Sequence, residues 1–374
     1  MKSSDLAQLR LRNQRIAGKK FTKPEEVVAY FGAMQAQDYL GALWAIGLRM
    51  EQATEKAIEK ALADRKIIRM WPMRRTLHVV ACEDAWWMHA LMTPGLLKNM
   101  GQRGERFYGL TSPVLERCRN LVTKALTGDK QMTRAQLYEA LEKGGVRIRG
   151  DGRPLSTVPS DDPFLSTTSR GLHILVHLAH EGLICFGSRA GKQQTFVLFQ
   201  EWVPKTKSIP REQALEELVV RYFTSHGPAT VHDLMWWSGL PGRDIKKGIE
   251  LAGVRLEQLE IEGKTYYCGN GTGKLAKTRK RVDLLPPFDE YIVAYRDRSA
   301  VMETRHNRLI NPGGNGMLSA VIVSNGRVIG GWKRTITKSG VTITPKWFTK
   351  PTLEERKSFE NSVAGYSAFL MNVV

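Results

Sequence analysis

Three stretches of this sequence carry one order of signals: helix, turn, helix, then a hairpin rich in basic residues. That order restricts the fold to tandem helix-turn-helix modules with wings. The clearest copy spans 209–281. There Thr230-Val231-His232-Asp233 reads as a capping box and Ser238-Gly239-Leu240-Pro241-Gly242 as the turn. Helices are expected at 212–225 and 243–252, and 255–268 alternates as a hairpin tipped by Glu262-Gly263-Lys264. The copy at 129–208 opens with the capping box Thr133-Arg134-Ala135-Gln136. It continues through a polar loop at 144–163, a helix at 169–181 and a hairpin at 183–199, whose tip presents Arg189 and Lys192. Long cations on a thin hairpin suit phosphate contact. The copy at 1–128 has helices expected at 5–17, 23–34 and 54–64 and a wing at 67–80. More helix follows from 84, interrupted at Thr93-Pro94-Gly95 and Gly101-Gln102-Arg103-Gly104. Residues 282–374 turn to β-branched residues and Gly, with Asn325-Gly326 as a type I′ turn and a capping box at Thr352 opening a last helix to about 371. The expected class is α+β: three tandem winged helices, then a C-terminal β-barrel-like module.

Charge narrows the partners. Lys plus Arg number 56 against 37 Asp plus Glu, a net +19 that marks a polyanion binder. Residues 274–281 hold five basic and no acidic residues, and 327–350 hold six and none. The clusters sit in loops, turns and β-like runs rather than on one basic amphipathic helix, so nucleic acid is favoured over a membrane surface. Cys82, Cys118, Cys185 and Cys268 are isolated, which argues against a disulfide framework or zinc knuckle and for a reducing compartment. His173, His177 and His180 share a helix face, but flanking apolar residues make that helix packed rather than metal-binding. No signal peptide and no long apolar span are visible. A cytosolic monomer, nucleoid-associated if bacterial, that binds nucleic acid without cofactor or metal is expected.

The chemistry centres on Met34-Gln35-Ala36-Gln37-Asp38. Two glutamines one residue apart share a face only in extended backbone, so Gln35 and Gln37 belong at or just past the end of the preceding helix. Amides in an apolar setting either satisfy backbone groups there or are held ready to orient a water or a base. Asp38 points off that face and reads most simply as a helix N-cap or ion-pair partner, with electrostatic support as its functional alternative.

Gln35-Ala36-Gln37-Asp38-Tyr39 with Trp44-Ala45-Ile46-Gly47-Leu48-Arg49 resembles the signature of the AlkZ-like winged-helix DNA glycosylases. So do Trp71-Pro72-Met73-Arg74-Arg75-Thr76-Leu77-His78, Trp236-Trp237-Ser238-Gly239-Leu240, Leu285-Pro286-Pro287-Phe288-Asp289-Glu290-Tyr291 and Gly331-Trp332-Lys333-Arg334, in the family's order. One departure stands out: Arg75 occupies a position that is usually Gly. A sister group carries Asp in place of the second glutamine, whereas this chain has Gln37 there and Asp38 one step later. The resemblance implies that Gln35 and Gln37 place the water that attacks C1′ of an N7-alkylated nucleotide. It also implies duplex DNA as partner, in a concave basic channel, with Arg74, Arg75, His78, Lys333 and Arg334 as candidate contacts. With no lysine in the glutamine motif, Schiff-base lyase chemistry is not expected, so the enzyme should be monofunctional. Asp289 and Glu290 compete as candidate catalytic acids in an apolar setting, but read more simply as braces between the third winged helix and the β module, paired with Arg296 or Arg298. The runner-up reading is a non-enzymatic winged-helix regulator.

Overall fold

The computed structural model describes residues 3–148, 170–206, 208–274, 281–337 and 340–371, in two units: 1–61 with 209–374, and 62–208.

In the first unit the helix Arg211–His226 is the central rod. Helices Ser3–Asn13, Pro24–Phe31 and Gly242–Ala252 pack against it. Gly248 permits the closest of these approaches, since a Cβ there would stand 2.5 Å from Val219 Cγ2. The Thr230 capping box forms as expected. Thr230 Oγ1 accepts from Asp233 N at 3.1 Å, and Asp233 Oδ2 accepts from Thr230 N at 2.9 Å. The helix it opens, Val231–Ser238, ends at Gly239 with φ 75°. Strands Leu256–Ile261 and Lys264–Gly269 pair around Glu262 and Gly263, both with positive φ.

Antiparallel strands Gly340–Trp347, Arg327–Thr337, Val321–Ser324 and Val282–Leu285 make a sheet in that spatial order. Asn325 and Gly326 form its expected two-residue turn, with Ser324 opposite Arg327. A barrel-like module was expected here, and the described residues form an open sheet instead. The helix Leu353–Met371 packs on the edge strand Val282–Leu285, and among the described residues no strand closes the sheet. Period-2 patterning specifies strands, whereas closure depends on tilt and stagger that the pattern does not encode.

The second unit holds the hairpin Ile67–Met73 with Thr76–Ala81 and the helices Ala85–Tyr108, Ser112–Leu126, Arg134–Lys143 and Arg170–His180. A three-stranded sheet joins Met132–Thr133, Thr195–Leu198 and Ile184–Phe186. Trp71 anchors its core, 4.8 Å from the Phe186 ring and 6.4 Å from that of Phe196. The interruptions expected at Thr93-Pro94-Gly95 and Gly101–Gly104 do not occur. The helix runs through both and stops at Gly109, φ 58°. Pro94 removes one backbone donor, but Leu91, Met92 and Met100 keep an apolar face buried along the whole length. The polar loop, from 149 onward, and the basic run, over 275–280, lie outside the described residues.

Among the described residues no helix is long and apolar enough to cross a membrane, and the four cysteines are free thiols.

Candidate active site

The glutamines lie in a short bridge between two helices. The helix expected at 23–34 stops at Phe31, because Gly32 takes φ 78° and turns the chain into the extended run Ala33–Gln35. Asp38 then caps the helix Tyr39–Gly47 by accepting from Gly41 N, a helix whose sequence signal was this N-cap rather than any periodicity. Gly is needed at 41, where a Cβ would stand 2.5 Å from the Asp38 carboxylate. That helix is buried on nearly every side, so it lacks the periodicity that announces an amphipathic helix. Its Trp44 packs on Tyr366 at 5.0 Å and donates to Leu284 O at 2.7 Å.

Gln35 is 8% exposed, and its Oε1 is buried without a hydrogen-bond partner among the described residues. An unmatched buried amide oxygen costs about 1–3 kcal/mol, and such groups concentrate where a ligand or water completes them. Gln37 is half-buried.

Beneath the bridge lie two buried carboxylates. Glu290 Oε1 accepts from Gln35 N at 2.6 Å, and its Oε2 accepts from Trp237 Nε1 at 2.9 Å and faces His226 Nε2 at 3.3 Å. Burial pushes the His226 imidazole below its ordinary pKa, against the opposing pull of Glu290. Asp289 receives a bidentate grip from Arg49, 2.9 Å for each bond. Arg49 also donates to Gln14 O, Gln14 Oε1 and Ala45 O. All five guanidinium N–H donors are thereby matched. The partners expected for these acids were Arg296 and Arg298; Asp289 pairs with Arg49 instead, and Arg298 Nε donates to Ile292 O.

Arg334 turns towards the bridge as well. Its Nη2 stands 3.5 Å from Asp38 Oδ1, and its Nη1 donates to Tyr366 Oη at 2.9 Å. A residue expected to grip DNA thus holds the end of the glutamine segment in this conformation. Trp332 is core, with Nε1 donating to Leu285 O, whereas Lys333 beside it is exposed.

In the second unit Arg74 and Arg75 are the two central residues of the turn joining Met73 to Thr76, with φ 49° and 61°. A turn with positive φ at both positions is normally built from Asn-Gly. Arg75 therefore keeps the backbone shape that Gly would take, at a steric cost. His78 is fully buried, with Nδ1 3.0 Å from Thr76 O, which corrects the expectation that it offers a ring to DNA. Its strand is buried on both faces from Leu77 to Ala81, so alternation leaves no outward side for the ring. Arg189 is half-buried and Lys192 exposed at the other hairpin tip. The histidine run has structural contacts: His177 with Glu181 at 3.1 Å, His180 with Val176 O at 2.7 Å, and His173 stacked 3.8 Å from the Tyr108 ring.

Glu290, Trp237, His226 and Arg49 were not singled out from sequence as parts of the glutamine site, although three of them lie in or beside motifs that carry the resemblance. Only their recurrence within those motifs hinted at a joint role.

A family model described as DNA glycosylase AlkZ-like matches residues 28–369. An interstrand DNA cross-link repair glycosylase of Streptomyces sahachiroi is 25% identical over 346 residues, which are 90% of this chain and 88% of the relative. The solved structure of the Streptomyces sahachiroi DNA glycosylase AlkZ superposes with a TM-score of 0.73. That match spans 99% of this chain and 96% of the other at 21% identity, and it shows a shared fold.

Proposed function

This chain belongs to the AlkZ-like DNA glycosylase family, and from that premise we propose that it is a monofunctional glycosylase that releases N7-alkylated purines from duplex DNA. Interstrand crosslinks fall within the proposed substrates, since the relative from Streptomyces sahachiroi carries that activity in its name. N7-alkylation makes the purine cationic and a good leaving group, so the glycosidic bond needs little acid catalysis. What remains is to place water at C1′ as the sugar cation develops. Two neutral amides suit that task, because each both accepts and donates hydrogen bonds. The observation that carries the reading is the buried, unmatched Oε1 of Gln35 at the end of the extended run Ala33–Gln35, two residues before the half-buried Gln37.

The segments 1–128, 129–208 and 209–281 are read as winged helices, with their wings at the hairpins of 67–81, 184–198 and 256–269. Arg74, Arg75, Arg189, Lys192 and Lys333 are the proposed phosphate contacts. Arg334 and Asp38 are assigned to holding the glutamine segment, and His78 to packing.

The test is to incubate the protein with duplexes carrying 7-methylguanine or a nitrogen-mustard crosslink and to look for alkali-labile abasic sites. Release by the wild type, lost in Gln35→Ala and Gln37→Ala, is expected. Spontaneous strand cleavage without alkali would overturn the monofunctional assignment. Tight binding without release on every adduct would favour a regulator.

A further inference from the structure

We propose that Glu290 is a positioning residue for the reaction. It fixes the Gln35 main chain and sets a buried charge directly beneath the bridge that carries both amides. This rests on the glycosylase reading above and goes beyond it, because the glutamines alone do not explain why a carboxylate is buried at this point.

Glu290 opens the short helix Glu290–Val293 and is 1% exposed. Its two oxygens are divided between two tasks. Oε1 takes the Gln35 N–H at 2.6 Å, and Oε2 takes the Trp237 indole N–H at 2.9 Å with His226 Nε2 at 3.3 Å. The donors come from three separate elements: Ala33–Gln35, Val231–Ser238 and Arg211–His226. The carboxylate therefore ties the extended glutamine run to two helices of the third helical segment. Behind it, His226 Nδ1 meets Ser225 Oγ at 2.8 Å, and the neighbouring Asp289 is occupied by Arg49.

A purely structural brace needs no charge here, since burying a carboxylate is costly unless it is fully hydrogen-bonded. A chemical role explains both features of the site. A main-chain bond at Gln35 sets the direction of its side chain, and an error of about 1 Å in such placement can cost on the order of a hundredfold in rate. A carboxylate held by the bridge would also favour a sugar cation formed beside it over the neutral ground state. Arg334 and Asp38 hold the far end of the same segment, so it is pinned on both sides.

The experiment compares wild type, Glu290→Gln and Trp237→Phe on 7-methylguanine duplex, with single-turnover release, DNA affinity and thermal midpoint measured together. Glu290→Gln keeps an acceptor for Gln35 N but turns an amide N–H₂ towards the Trp237 and His226 donors. It should lower the release rate of bound complex by about tenfold to a hundredfold, with affinity within about twofold. Trp237→Phe removes one donor and should shift the rate in the same direction by less. Hydrogen exchange at the Gln35 amide gives a readout apart from activity, and exchange should speed up in Glu290→Gln. An unchanged release rate in Glu290→Gln, or a loss seen only in affinity and melting, would overturn the proposal. Wild-type protein that releases no base at all would overturn the glycosylase reading, and the role of Glu290 in chemistry with it. Even then, unchanged Gln35 exchange would separately refute the main-chain hold.

Discussion

The glutamine bridge and the Arg74-Arg75 turn are both short non-regular links, yet they are built on opposite plans. The bridge is enclosed. Gly32 ends one helix, Asp38 starts the next, and Glu290 and Arg334 hold its two ends from later parts of the chain. The turn puts two long cations where the backbone least favours them, both at positive φ. The same turn geometry at residues 325 and 326 uses Asn-Gly, the pair it favours. A position that accepts backbone strain to keep Arg is more readily explained by what the side chain does than by how the hairpin forms. Under the proposed function, the contrast sets a region held rigid for chemistry against one that gives up stability to grip DNA.

The most damaging way to break the first plan is to remove one half of its buried ion pair. Asp289→Ala should cost about 3–5 kcal/mol, because the Arg49 guanidinium is left buried and uncompensated. A denaturant titration should show that destabilisation, and replacing both partners with apolar residues of similar size should recover most of it.

Acid should act on the other unit. Burial pushes His180 down to about 4, with the nearby Arg75 adding to the shift. The unfolded ring titrates near its ordinary value of about 6.5. Between those values the unfolded state binds the extra proton, so stability is intact above pH 6.5 and is lost as pH falls towards 4. The decrease amounts to about 3 kcal/mol. Melting from pH 7 to 4 should show it, and His180→Gln should flatten the profile; an equal slope in both proteins would exclude His180 as the source.

Relieving the strained turn sharpens the comparison most cleanly. Arg74→Asn with Arg75→Gly should raise stability by about 1 kcal/mol and weaken DNA binding at the same time. The salt dependence of binding should flatten by about 0.9 in the log-log slope for each phosphate that the variant leaves un-neutralised. If affinity and slope are unchanged, the two arginines do not touch DNA. The smallest effect is expected at exposed Lys333. Lys333→Ala should leave stability within about 0.5 kcal/mol and lower the salt slope by at most about 0.9.

How far these features could be read in advance follows from the range of the interactions. Thr133 with Gln136, Thr230 with Asp233, and the Asn325-Gly326 turn are local, and each lies where its residues indicate. The extended backbone at Gln35 was legible too, since only period-2 geometry would let both amides face one way, but the strand ends there and Gln37 lies in a bend. The helix Tyr39–Gly47 showed only its Asp38 cap, because its burial on nearly all sides erases periodicity. Pro94 and Gly101 looked like breaks because tertiary burial overrides local propensity in a 24-residue helix. Glu290 and Asp289 were visible as residues, but their partners Gln35 and Arg49 lie 255 and 240 positions away. Spacing carries no information at that range. The open C-terminal sheet was missed for a related reason: strand composition is local and closure is global.

The most direct measurement is a double-mutant cycle on single-turnover release of 7-methylguanine, with DNA affinity followed in parallel. If Gln35 and Gln37 direct one water, each alanine substitution should cut the rate by about a hundredfold or more while affinity holds, and the double variant should be little worse than the poorer single. Release at the wild-type rate from Gln35→Ala/Gln37→Ala would mean that the chemistry lies elsewhere on the protein.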